Sequence, residues 1–301
     1  MIHKVERVLC LADGAKPAAV EFLDTLVPWL EQQGLEVEAR DSVRSIERDA
    51  PPKKRPDLIL VLGGDGAILG VVRAFADDPI PIMGINFGYL GFLAGTPSGQ
   101  ALEVLAEILS GEVVPEMRMR LIARLEDGRE VIALNDVVLQ RGAHQGLLVS
   151  SLSVGDDWVT NLRGDGLIIA TPSGSTAYSL AAGGPVVEPS MRCFVFTPLA
   201  SPGLANRPIV LDPDAELVVE VVDSHGIATM VVDGQGFYPL QAGATIEVKR
   251  HPVAYPLYSM PDLDPYRRLR ERLGWSQSLP GSYDPSSRHG ADPAPEDNAS
   301  Y

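Results

Sequence analysis

The first third of the chain alternates short apolar runs with segments whose apolar residues recur at helical spacing. Between residues 16 and 33, for example, apolar side chains return every three or four positions until Gly34. Such an alternation of strands and helices is typical of a parallel sheet covered on both faces. The predicted strands are 7–11, 35–39, 57–62 and 80–85, and the predicted helices are 16–33, 67–76 and 101–109.

After Pro115 the pattern changes to β-branched alternation broken by turn pairs such as Asp127-Gly128, which predicts a second, mostly β domain. The predicted strands are 120–125, 131–139, 147–154, 167–170, 217–222, 229–233 and 245–249. The expected fold class is therefore α/β plus β, with a parallel-sheet domain followed by a β-sandwich. The expected domains are 1–115 with 258–275, which includes a short charged helix over 264–273, then 116–257, and a disordered tail over 276–301.

The composition limits the kinds of partner and the cellular setting that we expect for this chain. With 301 residues and 45% hydrophobic content, the chain has enough apolar side chains for two cores. A formal net charge of −15 argues against nucleic acid or an anionic membrane as the main partner. Two cysteines, Cys10 and Cys193, give no support for a disulfide framework. The sequence contains no signal peptide and no apolar run of about 18 residues, so we expect a cytoplasmic protein.

The stretch LILVLGGDGAIL, residues 58–69, carries a buried strand directly into a carboxylate held between glycines. Gly63, Gly64 and Gly66 permit close approach of a phosphate or ribose to the main chain, and the next helix turns its free amides toward the same point. The turn lies at the carboxyl edge of the predicted sheet, where ligands usually bind. The alternative is a tight turn in which Asp65 only caps the helix. No Walker loop and no GxGxxG motif is present here.

Other polar motifs follow in the β-rich part. Asn135 and Asp136 lie inside a predicted strand, where neighbours face opposite sides; at a strand end or a bulge, both could reach one ligand. The segment 165–185, DGLIIATPSGSTAYSLAAGGP, bunches six hydroxyl and turn-forming residues before a helix, which is more than one helix cap requires. Two shorter motifs, NRP at 206–208 and DGQ at 233–235, come later.

The GGDG motif alone resembles a signature shared by NAD kinases, phosphofructokinases, and diacylglycerol and sphingosine kinases. Together with LND, the TPSGSTAY segment, NRP and DGQ in order, it resembles the NAD kinase family over roughly residues 5–275. The resemblance implies the fold of that family and of the diacylglycerol kinases. It also implies transfer of a phosphate from ATP or polyphosphate to NAD with Mg²⁺ or another divalent metal, and a homodimer or homotetramer that binds neither nucleic acid nor membrane.

The same resemblance assigns roles to residues. Asp65 matches the essential carboxylate disposed toward the 2′-hydroxyl of the adenosine ribose, either as a base or as a metal holder. Gly63 and Gly64 match the phosphate loop, and Gly66 lies against the dinucleotide. The remaining matches are Asn135 and Ser173 at adenine, Asp136 at the nicotinamide-side ribose, Asp165 at the nicotinamide end, and Thr176, Ala177 and Tyr178 along the dinucleotide. No metal ligand is assigned.

Several positions depart from the family pattern. Asp136 replaces the usual Glu, Ala67 the usual Thr and Ala181 a frequent Ser, while residues 200–203 replace a Cys-Pro-His-Ser stretch. These changes leave the phosphate donor open. Two other hypotheses also remain: a GGDG kinase that acts on a lipid or sugar, and a non-catalytic NAD(P)-binding regulator.

Several other polar side chains are weaker candidates. Arg207 and Gln235 are two further candidate site residues, and Arg118 and Arg120 are interpreted as surface ion pairs rather than phosphate ligands. The five histidines show no ligand spacing, so no structural zinc site is expected.

Overall fold

The structure is a computed structural model that describes residues 4–43, 46, 51–88, 91–142, 146–202, 206–224, 226–259, 269–270 and 273. Residues 1–261 form one compact unit, and residues 262–301 form a second. In the second unit, Leu269, Arg270 and Leu273 are helical. The rest of the predicted helix over 264–273 and the predicted tail over 276–301 lie outside the described residues.

A seven-stranded sheet forms the first half of the large unit, which we call the α/β half. Its order is β2-β1-β3-β4-β19-β6, with β5 beside β4, and every pairing except that of β6 with β19 is parallel. The strands are β1 (Arg7–Ala12), β2 (Glu36–Arg40), β3 (Leu58–Gly63), β4 (Ile82–Asn86), β5 (Thr96–Pro97), β6 (Glu116–Arg118) and β19 (Tyr255–Tyr258).

Helices cover both faces of this sheet. They are α1 (Pro17–Gln32), α2 (Asp65–Ala74) and α3 (Ala101–Ser110). All six residues of β3 are buried, as expected for a continuous apolar run in a parallel sheet. Leu60 belongs to the core under α1 and α3, whereas Ile59 belongs to the core under α2. The carboxyl end of β3 is thereby held rigidly where it meets α2.

Two six-stranded sheets form the β half of the same unit and enclose one core, as the sequence predicted. Their orders are β11-β10-β15-β18-β7-β8 and β14-β13-β12-β9-β16-β17, and all pairings are antiparallel. The strands are β7 (Leu121–Leu125), β8 (Glu130–Ala133), β9 (Asp136–Gln140), β10 (Leu148–Val154), β11 (Asp157–Gly164), β12 (Gly166–Ala170), β13 (Phe194–Leu199), β14 (Ile209–Leu211), β15 (Leu217–Asp223), β16 (Ala228–Val232), β17 (Gly236–Leu240) and β18 (Thr245–Arg250). A short helix, α4 (Tyr178–Ala181), follows β12.

One strand prediction was wrong. The run 131–139 is not a single strand: the chain leaves β8 in one sheet and enters β9 in the other at residues 134–135. The backbone amides there donate to a distant carboxylate instead of to a neighbouring strand. The structure also places β6 and β19 in the first sheet, whereas the sequence boundaries put 116–118 and 255–257 in the second domain.

Candidate active site

Asp65 lies at the junction of β3 and α2. It is the first residue of α2, while Gly64 occupies the cap position without a side-chain cap bond, so the helix-cap alternative for Asp65 is wrong. Its carboxylate instead accepts hydrogen bonds from the backbone amides of Phe92, Leu93 and Ala94 at 2.9, 3.1 and 2.9 Å. The carboxylate is therefore held in one orientation by the segment that follows β4.

Close packing around this turn depends on glycine. A methyl group added to Gly91 would lie 1.9 Å from Asp65 Oδ1, so any larger residue would displace the loop or the carboxylate. A methyl group on Gly64 or Gly88 would lie 3.6 or 3.7 Å from the ammonium of Lys16. Lys16, which belongs to none of the predicted motifs, therefore places a positive charge beside the GGDG turn. Its position in the loop after β1, immediately before α1, is the only sequence signal for this role.

Asn135 and Asp136 lie where the chain enters β9, so a strand end allows both side chains to face one cavity. The amides of residues 134, 135 and 136 donate to the Asp233 carboxylate at 2.9, 2.8 and 3.1 Å. Along β9, Val137 and Leu139 point into the sandwich core. Residues 136, 138 and 140 consequently point to the opposite face of the sheet.

That opposite face is the floor of a cavity of about 410 Å³, a size typical of small-molecule sites. The floor is made by β9 and β16, and the walls come from α2 and from the segment after β12. The lining residues are Leu69, Asn135, Asp136, Val138, Gln140, Ala177, Tyr178, Val231, Asp233, Gly234 and Phe237. Of the predicted site residues, Asn135, Asp136, Ala177 and Tyr178 are thus brought together, while Asp65, Asp165, Ser173 and Thr176 do not line the cavity.

The TPSGST segment packs directly on the turn that carries Asn135. The Thr171 amide donates to the Asn135 carbonyl oxygen at 2.8 Å, and the Thr171 hydroxyl donates to the Leu134 carbonyl oxygen at 2.5 Å. A methyl group on Gly174 would lie 2.0 Å from the Asn135 carbonyl oxygen, so this approach requires glycine. The hydroxyl of Thr176 donates to the Ser173 carbonyl oxygen at 3.0 Å, which gives that hydroxyl a structural partner.

Two buried polar atoms at this contact have no hydrogen-bond partner among the described residues: Asn135 Oδ1 and Ser173 Oγ. Both residues are more than nine-tenths buried. A buried polar atom without a partner is costly, and such atoms in native proteins commonly await a water or a ligand. They are chemically suited to an amine or a ring nitrogen.

Asp165 lies at the far end of the strands that carry this site. Ala170 of β12 pairs with Asp136, whereas Gly166 pairs with Gln140. Four strand positions separate the two ends, a distance of about 13 Å. Asp165 forms an ion pair with Arg141 at 2.6 Å. Asp136 and Asp165 thus lie near opposite ends of the paired strands β9 and β12.

The electrostatics of the cavity centre on two aspartates. Burial, together with repulsion from Asp233, raises the pKa of Asp136 to about 7. Burial also raises the pKa of Asp233, although the three amides that donate to it act in the opposite direction. The amides favour the charge on Asp233, so Asp136 is the member of the pair that holds a proton most readily near neutral pH.

The DGQ turn reaches the GGDG helix. Gln235 Nε2 donates to the Gly66 carbonyl oxygen at 3.0 Å, and Arg73 Nη1 donates to Gln235 Oε1 at 2.6 Å. Gln235, a further candidate from the sequence, therefore lies beside Asp65 although it does not line the cavity. Arg207 is exposed, and its neighbour Asn206 is hydrogen-bonded to Ser201.

Two arginines lie elsewhere than predicted. Arg118 and Arg120 are buried, so the interpretation as surface ion pairs was wrong. Arg118 pairs with Glu116 at 2.5 Å, and Arg120 donates to the carbonyl oxygens of Ala76 and Val253 at 2.6 and 2.9 Å. Their guanidinium groups serve the packing of the α/β half.

The described part of the chain contains no group of three or more His, Cys, Asp or Glu side chains arranged to hold a metal ion. Among the described helices, none combines the length and apolar character needed to cross a membrane.

Comparison with known proteins gives consistent matches. Residues 31–113 match the model of the ATP-NAD kinase N-terminal domain, and residues 134–260 match that of the ATP-NAD kinase C-terminal domain. An NAD kinase from Syntrophotalea carbinolica is 36% identical over 91% of this chain and 100% of its own length. An NAD kinase from Nitrosospira multiformis is 34% identical over 92% of this chain and 98% of its own length.

Solved structures match the fold. A yeast NADH kinase in complex with NADH has a TM-score of 0.83 at 24% identity and covers 93% of this chain and 91% of its own. An NAD kinase from Archaeoglobus fulgidus in complex with ATP has a TM-score of 0.72 at 24% identity and covers 89% of this chain and 98% of its own.

Proposed function

The chain belongs to the NAD kinase family, and we propose that it transfers the terminal phosphate of ATP to the 2′-hydroxyl of the adenosine ribose of NAD to give NADP. The observation that carries the proposal is the cavity between the two halves, which places Asn135, Asp136, Ala177 and Tyr178 on one surface beside the helix that begins with Asp65.

We assign adenine to the place beside the two unpartnered atoms of Asn135 and Ser173. Asn135 Oδ1 and Ser173 Oγ are buried and lack partners among the described residues. An amide oxygen can accept the exocyclic amine of adenine, and a hydroxyl can serve a ring nitrogen. The exposed ring of Tyr178 at the cavity wall offers a surface for packing on the dinucleotide.

The remaining length of the dinucleotide would follow β9. Asp136 is placed to accept hydrogen bonds from ribose hydroxyls, and the surface continues along β9 to Gln140. The separation of about 13 Å between the ends of these strands suits an extended dinucleotide rather than a single nucleoside. Asp165 would lie at the nicotinamide end.

Asp65 would act on the acceptor hydroxyl. A secondary alcohol is a weak nucleophile, and a positioned base typically contributes about 10²- to 10⁴-fold. The three amides that hold Asp65 fix the orientation of its carboxylate, so it would meet the 2′-hydroxyl in a single geometry. Most of the remaining acceleration comes from alignment of the two substrates.

The donor phosphates would lie at the carboxyl edge of the parallel sheet. The ammonium of Lys16 lies beside Gly64 and Gly88, and the amino-terminal end of α2 faces the same point. This cation is suited to a phosphate oxygen from either ATP or polyphosphate. We assign it to the donor because it lies beside the glycine turn and the amino-terminal end of α2, where phosphate binding is favoured.

A divalent metal fits the same place. Magnesium in kinase sites is held mainly by substrate phosphates with one or two carboxylates, so the absence of a three-residue cluster among the described residues is compatible with it. Asp65 is the carboxylate that would hold such an ion if it does not serve as the base. When bound, the ion would neutralise charge on the transferred phosphate.

Assembly and location are part of the proposal. Two large apolar side chains at the cavity, Tyr178 and Phe237, are 48% and 64% exposed, which supports a homodimer or homotetramer that covers them. Light scattering coupled to size exclusion tests this. The two cysteines, Cys10 and Cys193, are buried and not joined in a disulfide, which supports a reducing, cytoplasmic setting.

The test is to incubate purified protein with NAD, Mg²⁺ and ATP and to measure NADP enzymatically, with polyphosphate as a second donor. NADP formation is expected with at least one of the donors. Tight NAD binding with no NADP would favour a non-catalytic regulator. Phosphorylation of a lipid or sugar with NAD left intact would favour another GGDG kinase.

A further inference from the structure

The turn between β16 and β17 contacts both halves of the site. We infer that this turn, Asp233–Gln235, is a strap that sets the position of the helix bearing Asp65 relative to the NAD cavity, so that Asp233 and Gln235 are positioning residues for phosphate transfer. The inference rests on the proposed function, because it concerns the geometry of that reaction. No contact with NAD is required of Gln235.

The first end of the strap holds the floor of the cavity. The Asp233 carboxylate accepts hydrogen bonds from the three consecutive backbone amides of residues 134–136. In return, the Asp233 amide donates to the Asp136 carbonyl oxygen at 3.0 Å. Asp233 has a φ of 48°, in the left-handed region that few residues other than glycine adopt. A strained residue persists where its surroundings fix it, as these four bonds do here.

The second end holds the helix. Gln235 contacts Gly66, next to Asp65, and Arg73, seven residues further along α2. Seven residues correspond to two helical turns, so both contacts lie on one face of the helix. Both bonds end at the single amide of Gln235, so they tie α2 to the turn between β16 and β17. The orientation of Asp65, the first residue of α2, is limited by them.

The consequence concerns distance at the reacting atoms. In the proposed function the β half binds NAD and so places its 2′-hydroxyl, whereas Asp65 belongs to the α/β half. Misplacement of reacting groups by about 1 Å can cost about 100-fold in rate. Because Gln235 does not line the cavity, its loss should lower turnover without weakening NAD binding.

The test replaces Gln235 by Met, which has similar volume but neither the donor nor the acceptor. Turnover is expected to fall about 10-fold or more, while the KM for NAD stays within about twofold. Gln241→Met is the matched control, since Gln241 is exposed in the turn after β17. It should leave both parameters unchanged.

A second variant separates the two contacts of Gln235. Gln235→Glu keeps an acceptor for Arg73 but places an oxygen against the Gly66 carbonyl, so turnover should fall as far as in Gln235→Met. Wild-type turnover in either variant would overturn the strap, as would a loss that appears in KM alone. Absence of NADP formation by the wild-type protein with either donor would instead overturn the proposed function, so the two failures are distinguishable.

Discussion

Asp136 should make the stability of the protein depend on pH. Its carboxyl is buried, at 4% exposure, and faces Asp233, which together raise its pKa from 3.8 to about 7. The folded protein therefore keeps this proton to higher pH than the unfolded chain does. The stabilising contribution is fully present below about pH 3.8 and is lost as pH rises through about 7.

The size of this pH effect on stability follows from the pKa shift of Asp136. A change from 3.8 to about 7, at about 1.4 kcal/mol per pH unit, corresponds to about 4 kcal/mol between the two extremes. Asp136→Asn removes the titrating group and retains nearly the same shape. The variant should therefore gain about 2 to 3 kcal/mol of stability relative to the wild type as pH rises from 5 to 8, because only the part of the titration between pH 5 and about 7 falls in that range.

Urea unfolding followed by circular dichroism at pH 5, 6, 7 and 8 measures the difference in the free energy of unfolding between the two proteins. Asp212→Asn is the control, because Asp212 is exposed and accepts a single backbone amide in a turn. A difference between wild type and Asp136→Asn that is the same at pH 5 and pH 8 would refute the reasoning. It would mean that Asp136 is not the proton-holding member of the pair.

Four further predictions concern kinetics. Asp65→Asn should fold normally and lower turnover by at least about 100-fold; near-normal turnover with normal melting would remove Asp65 from the chemistry. Gly91→Ala should lower turnover about 10-fold or more, because the added methyl must displace Asp65 or its loop; wild-type kinetics would show that the loop is not needed. Lys16→Met should raise the KM for the phosphate donor by about 10-fold and leave the KM for NAD unchanged. The reverse pattern would mean that Lys16 contacts NAD and not the donor. Asp136→Glu should change the KM for NAD, and identical kinetics would mean that this carboxylate does not touch it.

The central strands of the parallel sheet, β1, β3 and β4, were predictable because each is a nearly unbroken apolar run. In β3 every residue is buried, so the strand could be predicted without deciding which side chains face the core. The glycines that follow marked where the strand ends. The position of Asp65 at the sheet edge followed from the same run. Its three amide partners did not, since they come from residues 92–94 in a loop that carries no polar motif.

The break at residues 134–135 could not be predicted from local pattern. VIALNDVVL reads as one continuous strand, and the group that interrupts it, the Asp233 carboxylate, lies 97 to 99 residues further along the chain. The local sequence of DGQ predicts a turn, and the structure has a turn there. Its contacts with Gly66 and Arg73 depend on how the two halves pack, and sequence alone carries no signal for that.

The most direct measurement is a crystal structure of the protein with NAD bound, read at the distance between the Asp65 carboxylate and the 2′-oxygen of the adenosine ribose. The proposed mechanism predicts a hydrogen bond of about 3.2 Å or less, with adenine against Asn135 and Ser173. An NAD molecule whose 2′-oxygen lies beyond the reach of a bridging water from Asp65 in every subunit would contradict it.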